Sequence, residues 1–163
     1  MIMAKRLTIL THPDPFLRNR AKDVTTAEIN DPHFQDFLDD LVFTMRPKGI
    51  GLAAVQVGSE YNVAVIDAPA GPLYLVNPRI TRFGKEKEIS AEACLSVPGY
   101  FGEVERSLEV DIEFLDRRGA REKITATELL ARVFQHELDH LNGILYIDRA
   151  KRVWKEEETE AKQ

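Results

Sequence analysis

The sequence predicts an α+β fold in which antiparallel sheets pack around a central helix, with an amphipathic helix nearer the N-terminus. Residues 31–45 and 125–141 place apolar side chains at helical spacing, and residues 108–114 alternate between apolar and acidic side chains. Strict alternation is typical of an antiparallel strand with one buried face. Strand segments followed by one strong helix favour α+β over a βαβ series.

The N-terminal third is expected to contain turns and one long helix. Three prolines punctuate the first 32 residues, a pattern typical of turns and one-turn helices. From residue 31 to residue 45 the apolar side chains share one helix face, and aspartates lie opposite. Pro47 and Gly49 then end this predicted helix.

The middle of the chain predicts strands. Residues 61–67 and 73–76 are rich in apolar residues and are bounded by proline and glycine. Residues 108–114 predict a half-buried antiparallel strand, and residues 116–119 predict a hairpin turn directly after it.

A second helix is predicted towards the C-terminus. Thr125 and Glu128 match a capping box, and apolar residues continue at helical spacing to Leu141. Asn142 and Gly143 supply the stop signal. Residues 154–163 are rich in glutamate and lysine and predict a solvated, fraying helix.

Length and composition predict one domain over residues 1–163, with a polar tail from about residue 154. The net charge of −5 argues against a surface that neutralises many phosphates, so we expect no DNA partner. The single cysteine excludes an intramolecular disulfide. No secretory signal is visible, and no apolar run approaches the roughly 20 residues that cross a bilayer. We therefore expect a cytoplasmic protein without a membrane partner.

The strongest chemical motif is His136-Glu-x-x-His140, within the second predicted helix. Residues four apart share one helix face, so both imidazoles can bind one metal ion. Glu137 lies beside the first ligand, where a carboxylate can take a proton from metal-bound water. The alternative is an exposed helix with an ordinary mix of charge and histidine.

A catalytic metal needs a third protein ligand and an open position for water. Downstream, Tyr146 stands where the long metalloprotease pattern has its third histidine, and the glutamates at 156–160 lie in the polar tail. Upstream lies Cys94. A lone cysteine is more often a small buried apolar residue. Beside two histidines that lack a third ligand, however, we predict that Cys94 binds the metal.

Residues 49–56 form a segment that a ligand could approach closely, because Gly49 and Gly51 carry no side chain. Together with Ala54 they loosely fit a dinucleotide fingerprint. That fingerprint should follow a strand, whereas a helix precedes it here, so a nucleotide site is disfavoured. Gln56 adds a neutral amide donor. A glycine turn that only ends the preceding helix is the alternative.

Three segments together resemble the peptide deformylase family. That family carries G-φ-G-φ-A-A-x-Q, E-G-C-φ-S and Q-H-E-φ-D-H-φ-x-G in this order, where φ is apolar. The corresponding segments here are residues 49–56, 92–96 and 135–143. The resemblance extends from about residue 8 to about residue 148. Each motif alone is moderately specific, whereas all three in order are very specific.

The resemblance implies a metal-dependent hydrolase that removes the formyl group from formyl-methionyl peptides. It implies that three residues bind Fe²⁺: Cys94, His136 and His140. Zn²⁺, Ni²⁺ or Co²⁺ could substitute for the iron. Glu137 would be the general acid/base, and the Gln56 side chain and Leu95 backbone N–H would face the developing oxyanion. Cysteine and two histidines suit zinc as well as iron, so iron rests on the resemblance.

The resemblance also implies how substrate binds. The peptide would lie as an added strand along residues 49–51 and Ala93, with its methionine side chain in an apolar pocket near Ile50 and Leu129. Arg132, one turn before the first histidine, would border that pocket; a surface ion pair is the alternative. The expected partners are nascent formyl-methionyl chains, met at the ribosome by a monomer.

The chain departs from the family at Ala93, where the family has glycine. Extended backbone accepts alanine at almost no cost, whereas a positive φ would cost roughly 1–2 kcal/mol. We predict an extended Ala93, because the surrounding residues should pair with substrate.

Two other functions use the same motif. A zinc endopeptidase would leave Cys94 dispensable. A metal-binding or ribosome-associated module would keep the metal without turnover. The complete set of Gln56, Cys94, Glu137 and the two histidines argues against such a module.

Overall fold

The computed structural model describes residues 3–157, which form two antiparallel sheets and short and long helices. The strands are β1 Gly51–Ala53, β2 Val63–Ala68, β3 Gly71–Phe83, β4 Lys87–Cys94, β5 Val97–Ser107, β6 Glu109–Leu115, β7 Arg121–Thr127 and β8 Arg152–Lys155. The α-helices are α1 Thr26–Ile29, α2 Pro32–Met45, α3 Glu128–Leu141 and α4 Tyr146–Arg149, and 3₁₀ helices span Pro15–Arg18 and Ala54–Val57. The predicted α+β class with antiparallel sheets is confirmed.

The larger sheet has strand order β1-β2-β3-β6-β7 and carries a long helix on each face. On β2, Val63 and Val65 pack with α2, whereas Ile66 packs in the cluster that contains Phe134 of α3. The smaller sheet has order β4-β5-β8, and α3 also contacts its β5 strand. α3 therefore contacts both sheets.

Side-chain capping and periodic burial define α2. The Asp31 carboxylate accepts a hydrogen bond from His33 N at 2.8 Å, and Pro32 occupies the first helical position. The buried side chains recur at helical spacing and pack on the sheet: Phe34, Leu38, Leu41 and Met45.

The start of α3 differs from the predicted capping box. β7 continues through Thr127 and α3 begins at Glu128, whose φ is +56°. Thr125 pairs with Asp111 of β6 and its hydroxyl donates to the Asp111 carboxylate at 2.8 Å, so it is not available as a cap. The capping-box prediction is wrong because strand pairing with β6 uses those residues first.

β3 is longer than the predicted strand over 73–76, since it continues past Pro78 to Phe83. The pairing with β6 is irregular between Val76 and Arg79. There Asn77 has a φ of +50°, and its side chain bonds both the N–H and the C=O of Val24. The two hydrogen bonds to Val24 stabilise this break in the pairing, and pairing with β6 resumes after Pro78.

The predicted tail helix is wrong at residues 154–155, which belong to a strand. Residues 152–155 form β8, which pairs with β5, and Trp154 stacks on Phe101 with ring centroids 6.2 Å apart. Burial of an aromatic face against β5 explains why these residues extend as a strand. Residues 158–163 of the predicted tail lie outside the described residues.

The shorter predicted elements are confirmed. One-turn helices form near the N-terminus, at Pro15–Arg18 and Thr26–Ile29. Residues 116–119 form the hairpin turn between β6 and β7, with Gly119 N donating to Asp116 O at 3.0 Å.

Within residues 3–157, no helix combines the length and the apolar composition that a membrane crossing requires.

We predict that Gly143→Ala destabilises the protein more than Gly119→Ala. Both glycines have positive φ, +75° and +88°, so alanine at either costs about 1–2 kcal/mol. At Gly143 the added methyl would also overlap the Arg18 carbonyl, whose carbon lies 2.8 Å away, whereas at Gly119 its nearest neighbour is Ile29 Cδ1 at 3.7 Å. Urea unfolding of both variants measures the difference. Equal losses would contradict the predicted overlap.

Candidate metal centre

Three ligand atoms from α3 and β4 meet at one point. α3 carries His136 and His140 one turn apart, so their imidazoles share a face and their Nε2 atoms lie 3.3 Å apart. Cys94, the last residue of β4, places its Sγ 3.3 Å from His140 Nε2. The three atoms lie within 4.8 Å of one another.

The donor set fits a divalent transition metal. In a tetrahedral site with metal–N near 2.0 Å and metal–S near 2.3 Å, ligand atoms lie roughly 3.3–3.6 Å apart. The Nε2–Nε2 and Sγ–Nε2 separations of 3.3 Å match this spacing. One thiolate and two imidazoles leave a fourth position for water or substrate.

Glu92 fixes the orientation of His136. The imidazole donates from Nδ1 to Glu92 Oε1 at 2.8 Å, which in the neutral ring leaves the Nε2 lone pair facing the cluster. Burial raises the pKa of Glu92, but hydrogen bonds from His136 and Arg106 outweigh it and hold the pKa at about 2. Glu92 is therefore ionised at neutral pH.

A buried ion network surrounds Glu92. Arg106, whose side chain is 4 % exposed, bonds Glu92 through Nε at 2.9 Å and Nη2 at 3.0 Å, and bonds Asp139 through Nη1 at 2.6 Å. Asp139 also accepts two bonds from Arg149. Arg132 Nη1 donates to Glu92 Oε2 at 2.6 Å. Glu92 and Asp139 are thus each paired with two guanidinium groups.

The electrostatics favour one positive charge at the cluster. Burial opposes protonation of His136, but contacts with Cys94 and Glu92 raise its pKa to about 10. Burial, followed by the charges on His136 and Arg106, holds the pKa of His140 well below its ordinary value. The surroundings therefore stabilise positive charge on His136 and disfavour it on His140.

Glu137 lies beside the cluster in a buried position. Its side chain enters the space over Gly51, where a Cβ would lie 2.5 Å from Glu137 Oε1. Burial raises the pKa of Glu137 to about 7, although the nearby His136 charge lowers it. Within the described residues Glu137 Oε2 has no hydrogen-bond partner. Such a carboxylate can exchange a proton near neutral pH.

Gln56 and Leu95 both lie next to Cys94. Gln56 belongs to the 3₁₀ helix Ala54–Val57; its Oε1 accepts from Ala53 N at 3.0 Å and its Nε2 donates to Ser96 Oγ at 3.1 Å. The same Nε2 lies 3.6 Å from Cys94 Sγ. Leu95 follows Cys94 in the turn between β4 and β5. Both residues line the same groove as Cys94.

A groove of about 980 Å³ opens above the cluster. Every site residue predicted from the sequence lines it except the deeper His140: Gly49, Ile50, Gly51, Gln56, Ala93, Cys94, Leu95, Leu129, Arg132, His136 and Glu137. Ile50 and Leu129 are exposed, at 47 % and 65 %. Exposed large apolar side chains beside a cavity are typical of a binding surface.

Two predictions about the groove have clear outcomes. Ala93 lies inside β4 and does not have a positive φ, so the predicted extended backbone is confirmed. Arg132 lines the groove, and the predicted alternative of a surface ion pair is wrong because its pair with Glu92 is buried, with side-chain exposures of 11 % and 5 %.

Sequence reasoning assigned no role to several residues that support the cluster. Glu92 lies in the same motif as Cys94, and its position two residues before the cysteine was the available signal. Tyr146 was noted only as a replacement for histidine. Its ring stacks on His136 with centroids 6.1 Å apart, and its hydroxyl donates to Tyr100 O at 3.2 Å. No sequence pattern indicates the Arg106–Asp139 pair, which depends on tertiary packing.

Comparisons with known proteins identify the family of this chain. A family model described as polypeptide deformylase matches residues 6–156. A peptide deformylase of Thermoanaerobacter pseudethanolicus is 46 % identical over 148 residues, covering 90 % of this chain and 91 % of the relative.

Solved structures give the same result. A peptide deformylase of Synechococcus elongatus in complex with actinonin aligns with a TM-score of 0.85 and 38 % identity, over 93 % of this chain and 85 % of that one. A class I type b peptide deformylase of Acinetobacter baumannii with Met-Ala-Ser bound aligns with a TM-score of 0.84 and 32 % identity, over 90 % and 99 %. Since the family model and the relative both span most of the sequence, the chain belongs to the polypeptide deformylase family.

Proposed function

We propose that this chain removes the N-formyl group from the N-terminal formyl-methionine of newly made polypeptides and releases formate. The observation that carries the proposal is a buried carboxylate, Glu137, beside a cluster of one thiol and two imidazoles at the base of a groove. In this proposal residues 1–163 form one catalytic domain, and α3 is the central helix between the sheets. The enzyme acts as a monomer in the cytoplasm, on chains that emerge from the ribosome.

The proposed metal ligands are Cys94, His136 and His140. We assign Fe²⁺ to the site by family membership, with Zn²⁺, Ni²⁺ or Co²⁺ able to substitute. When bound, such an ion would polarise the formyl carbonyl and lower the pKa of the attacking water towards about 7. Glu92 keeps His136 in the tautomer that presents Nε2 to the ion.

Glu137 is the proposed proton carrier. Its pKa of about 7 suits a group that must accept a proton in one step and donate it in the next. It takes a proton from the water that attacks the formyl carbon. When the carbon–nitrogen bond breaks, Glu137 delivers that proton to the departing amine, so the products are formate and a free N-terminus.

Gln56 and Leu95 are the proposed oxyanion donors. The Gln56 carboxamide is oriented by its bond from Ala53 N, which fixes the oxygen and turns Nε2 towards Cys94 and Ser96. The Leu95 N–H follows the cysteine in a tight turn. A donor of this kind typically contributes about 3 kcal/mol to stabilisation of the tetrahedral state.

The groove supports binding of an extended peptide. Gly51 of β1, the two residues before it, and Ala93 of β4 line the groove. β1 and β4 are edge strands of the two sheets within the described part of the chain. An extended peptide can pair with a free strand edge through its main chain. Ile50 and Leu129 supply exposed apolar surface for the methionine side chain, with Arg132 at the border.

A zinc endopeptidase on the same helix is disfavoured. That function would leave Cys94 dispensable, whereas its Sγ lies 3.3 Å from His140 Nε2 in a complete three-ligand set. Substitution of Cys94 by serine is therefore expected to abolish tight metal binding.

We predict that Glu137→Gln lowers kcat for formyl-Met-Ala by at least about 100-fold while the metal stays bound, because only proton transfer is lost. Formate release is measured on anaerobically purified protein, together with metal content. Glu128→Gln, at an exposed position of the same helix, is the matched control and should keep normal turnover. Metal-loaded wild type that releases no formate would overturn the proposed function.

We predict that Gly51→Ala impairs turnover by displacing Glu137. The new methyl would lie 2.5 Å from Glu137 Oε1, the end of a flexible side chain, so kcat should fall by about tenfold or more at a small cost in stability. The double variant Gly51→Ala/Glu137→Gln should be no slower than Glu137→Gln alone, since both changes remove the same group. Additive losses would mean that Gly51 acts independently of Glu137.

We predict that Ala93→Gly changes kcat/KM by less than about twofold. Ala93 is extended, so the glycine typical of the family has no strain to relieve at this position. Steady-state formate release measures the effect. A large gain would show that the alanine methyl, rather than backbone strain, obstructs the substrate.

A further inference from the structure

Arg132 lines the groove, but its guanidinium is directed at the protein. Nη1 donates to Glu92 Oε2 at 2.6 Å and to Val104 O at 3.0 Å, and Nη2 donates to Glu88 O at 2.8 Å. The side chain is 11 % exposed. An arginine whose only task was to contact substrate would keep its charged end in the groove. Here three of its bonds go to β4 and β5.

We propose that Arg132 is a positioning residue that holds the Glu92 carboxylate, and through it His136, in the orientation for metal binding. This inference rests on the proposed metal site. It assigns Arg132 a task beyond that of bordering the methionine pocket.

The two oxygens of Glu92 are held from different sides. Oε1 accepts from His136 Nδ1 at 2.8 Å and from Arg106 Nη2 at 3.0 Å. Oε2 accepts from Arg106 Nε at 2.9 Å and from Arg132 Nη1 at 2.6 Å. Any rotation of the carboxylate that moves Oε1 away from His136 therefore also breaks the bond to Arg132.

Arg106 does not provide a fixed reference by itself. It is shared between two carboxylates, because its Nη1 donates to Asp139 at 2.6 Å, and Asp139 is also bound by the half-exposed Arg149. Arg132, in contrast, is anchored on backbone carbonyls of two paired strands. Those carbonyls move only if the sheet moves. Arg132 therefore ties Glu92 to the sheet that also carries Cys94.

The expected size of the effect follows from the partners of metal ligands in general. Loss of a group that orients a ligating histidine typically costs 10- to 100-fold in metal affinity or activity. Glu92 is 5 % exposed on its side chain, so water does not readily replace a lost guanidinium. We therefore expect Arg132→Met, which keeps the aliphatic stem, to weaken metal binding by about tenfold or more.

The experiment measures Co²⁺ affinity by competition with a chelator for wild type, Arg132→Met, Arg132→Lys and Arg149→Met. A lysine ammonium can bond Glu92 but lacks the planar guanidinium that reaches all three acceptors. The Co²⁺ affinity of Arg132→Lys should therefore fall between those of wild type and Arg132→Met. Arg149→Met removes an arginine from the same network without touching Glu92 and should bind Co²⁺ as wild type does. Visible spectra report whether the thiolate–Co²⁺ band and the geometry change. If Arg132→Met does not fold, Arg132→Lys decides the question.

Several outcomes would overturn the proposal. One is Co²⁺ affinity of Arg132→Met within twofold of wild type, particularly with a raised KM at unchanged kcat, which would make Arg132 a substrate contact only. Another is equal weakening in Arg149→Met, which would indicate a general effect of the network. Metal affinity is read without turnover. Wild type that binds Co²⁺ but releases no formate would therefore contradict the proposed function and leave the test of Arg132 intact.

Discussion

Burial of the Glu92 carboxylate is the interaction on which the arrangement of the site depends. A buried charge is tolerated only when it is paired and hydrogen-bonded, and Glu92 meets this condition through His136, Arg106 and Arg132. The partners come from two elements: His136 and Arg132 from α3, and Arg106 from β5. The pairing therefore fixes the rotation of α3 against the smaller sheet. Because Cys94 follows Glu92 by two residues on β4, the same constraint brings the thiol to the imidazoles.

The groove exists because two sheets stop at the same place. β1 and β4 are edge strands in the described part of the chain, and the groove runs between them. Free strand edges invite pairing with other chains, and proteins usually cover or charge them. Here the strand edges lie above the Glu137 carboxylate and the cluster of one thiol and two imidazoles. Pairing with an extended peptide would therefore bring the end of the peptide to these groups. Gly51 leaves room for Glu137, because any side chain at that position of β1 would overlap the Glu137 carboxylate.

The sequence predicted the features that depend on local residue patterns and missed those that depend on contacts between distant residues. The α+β class and the hairpin at 116–119 followed from periodicity and turn residues, and the extended Ala93 followed from its expected pairing. Cys94 was found by asking which residue could complete a two-histidine site, a chemical argument that needs no fold. The start of α3 was mispredicted because pairing with β6 overrides the capping signal at Thr125. The strand at residues 152–155 was missed because its stabilisation comes from Phe101, some fifty residues away.

Arg106 shows why the support of the site is harder to predict than its ligands. A ligand must be histidine, cysteine or a carboxylate at a suitable spacing, so its type and position are informative by themselves. A supporting arginine only has to reach a buried carboxylate, and many positions in a sheet allow this. Glu137 illustrates the consequence. Its pKa of about 7 results mainly from burial, which depends on tertiary packing and cannot be read from its neighbours in sequence. The same burial leaves one of its oxygens without a partner among residues 3–157, which lowers the stability of the fold. That unpaired oxygen is the proton acceptor that the proposed reaction needs.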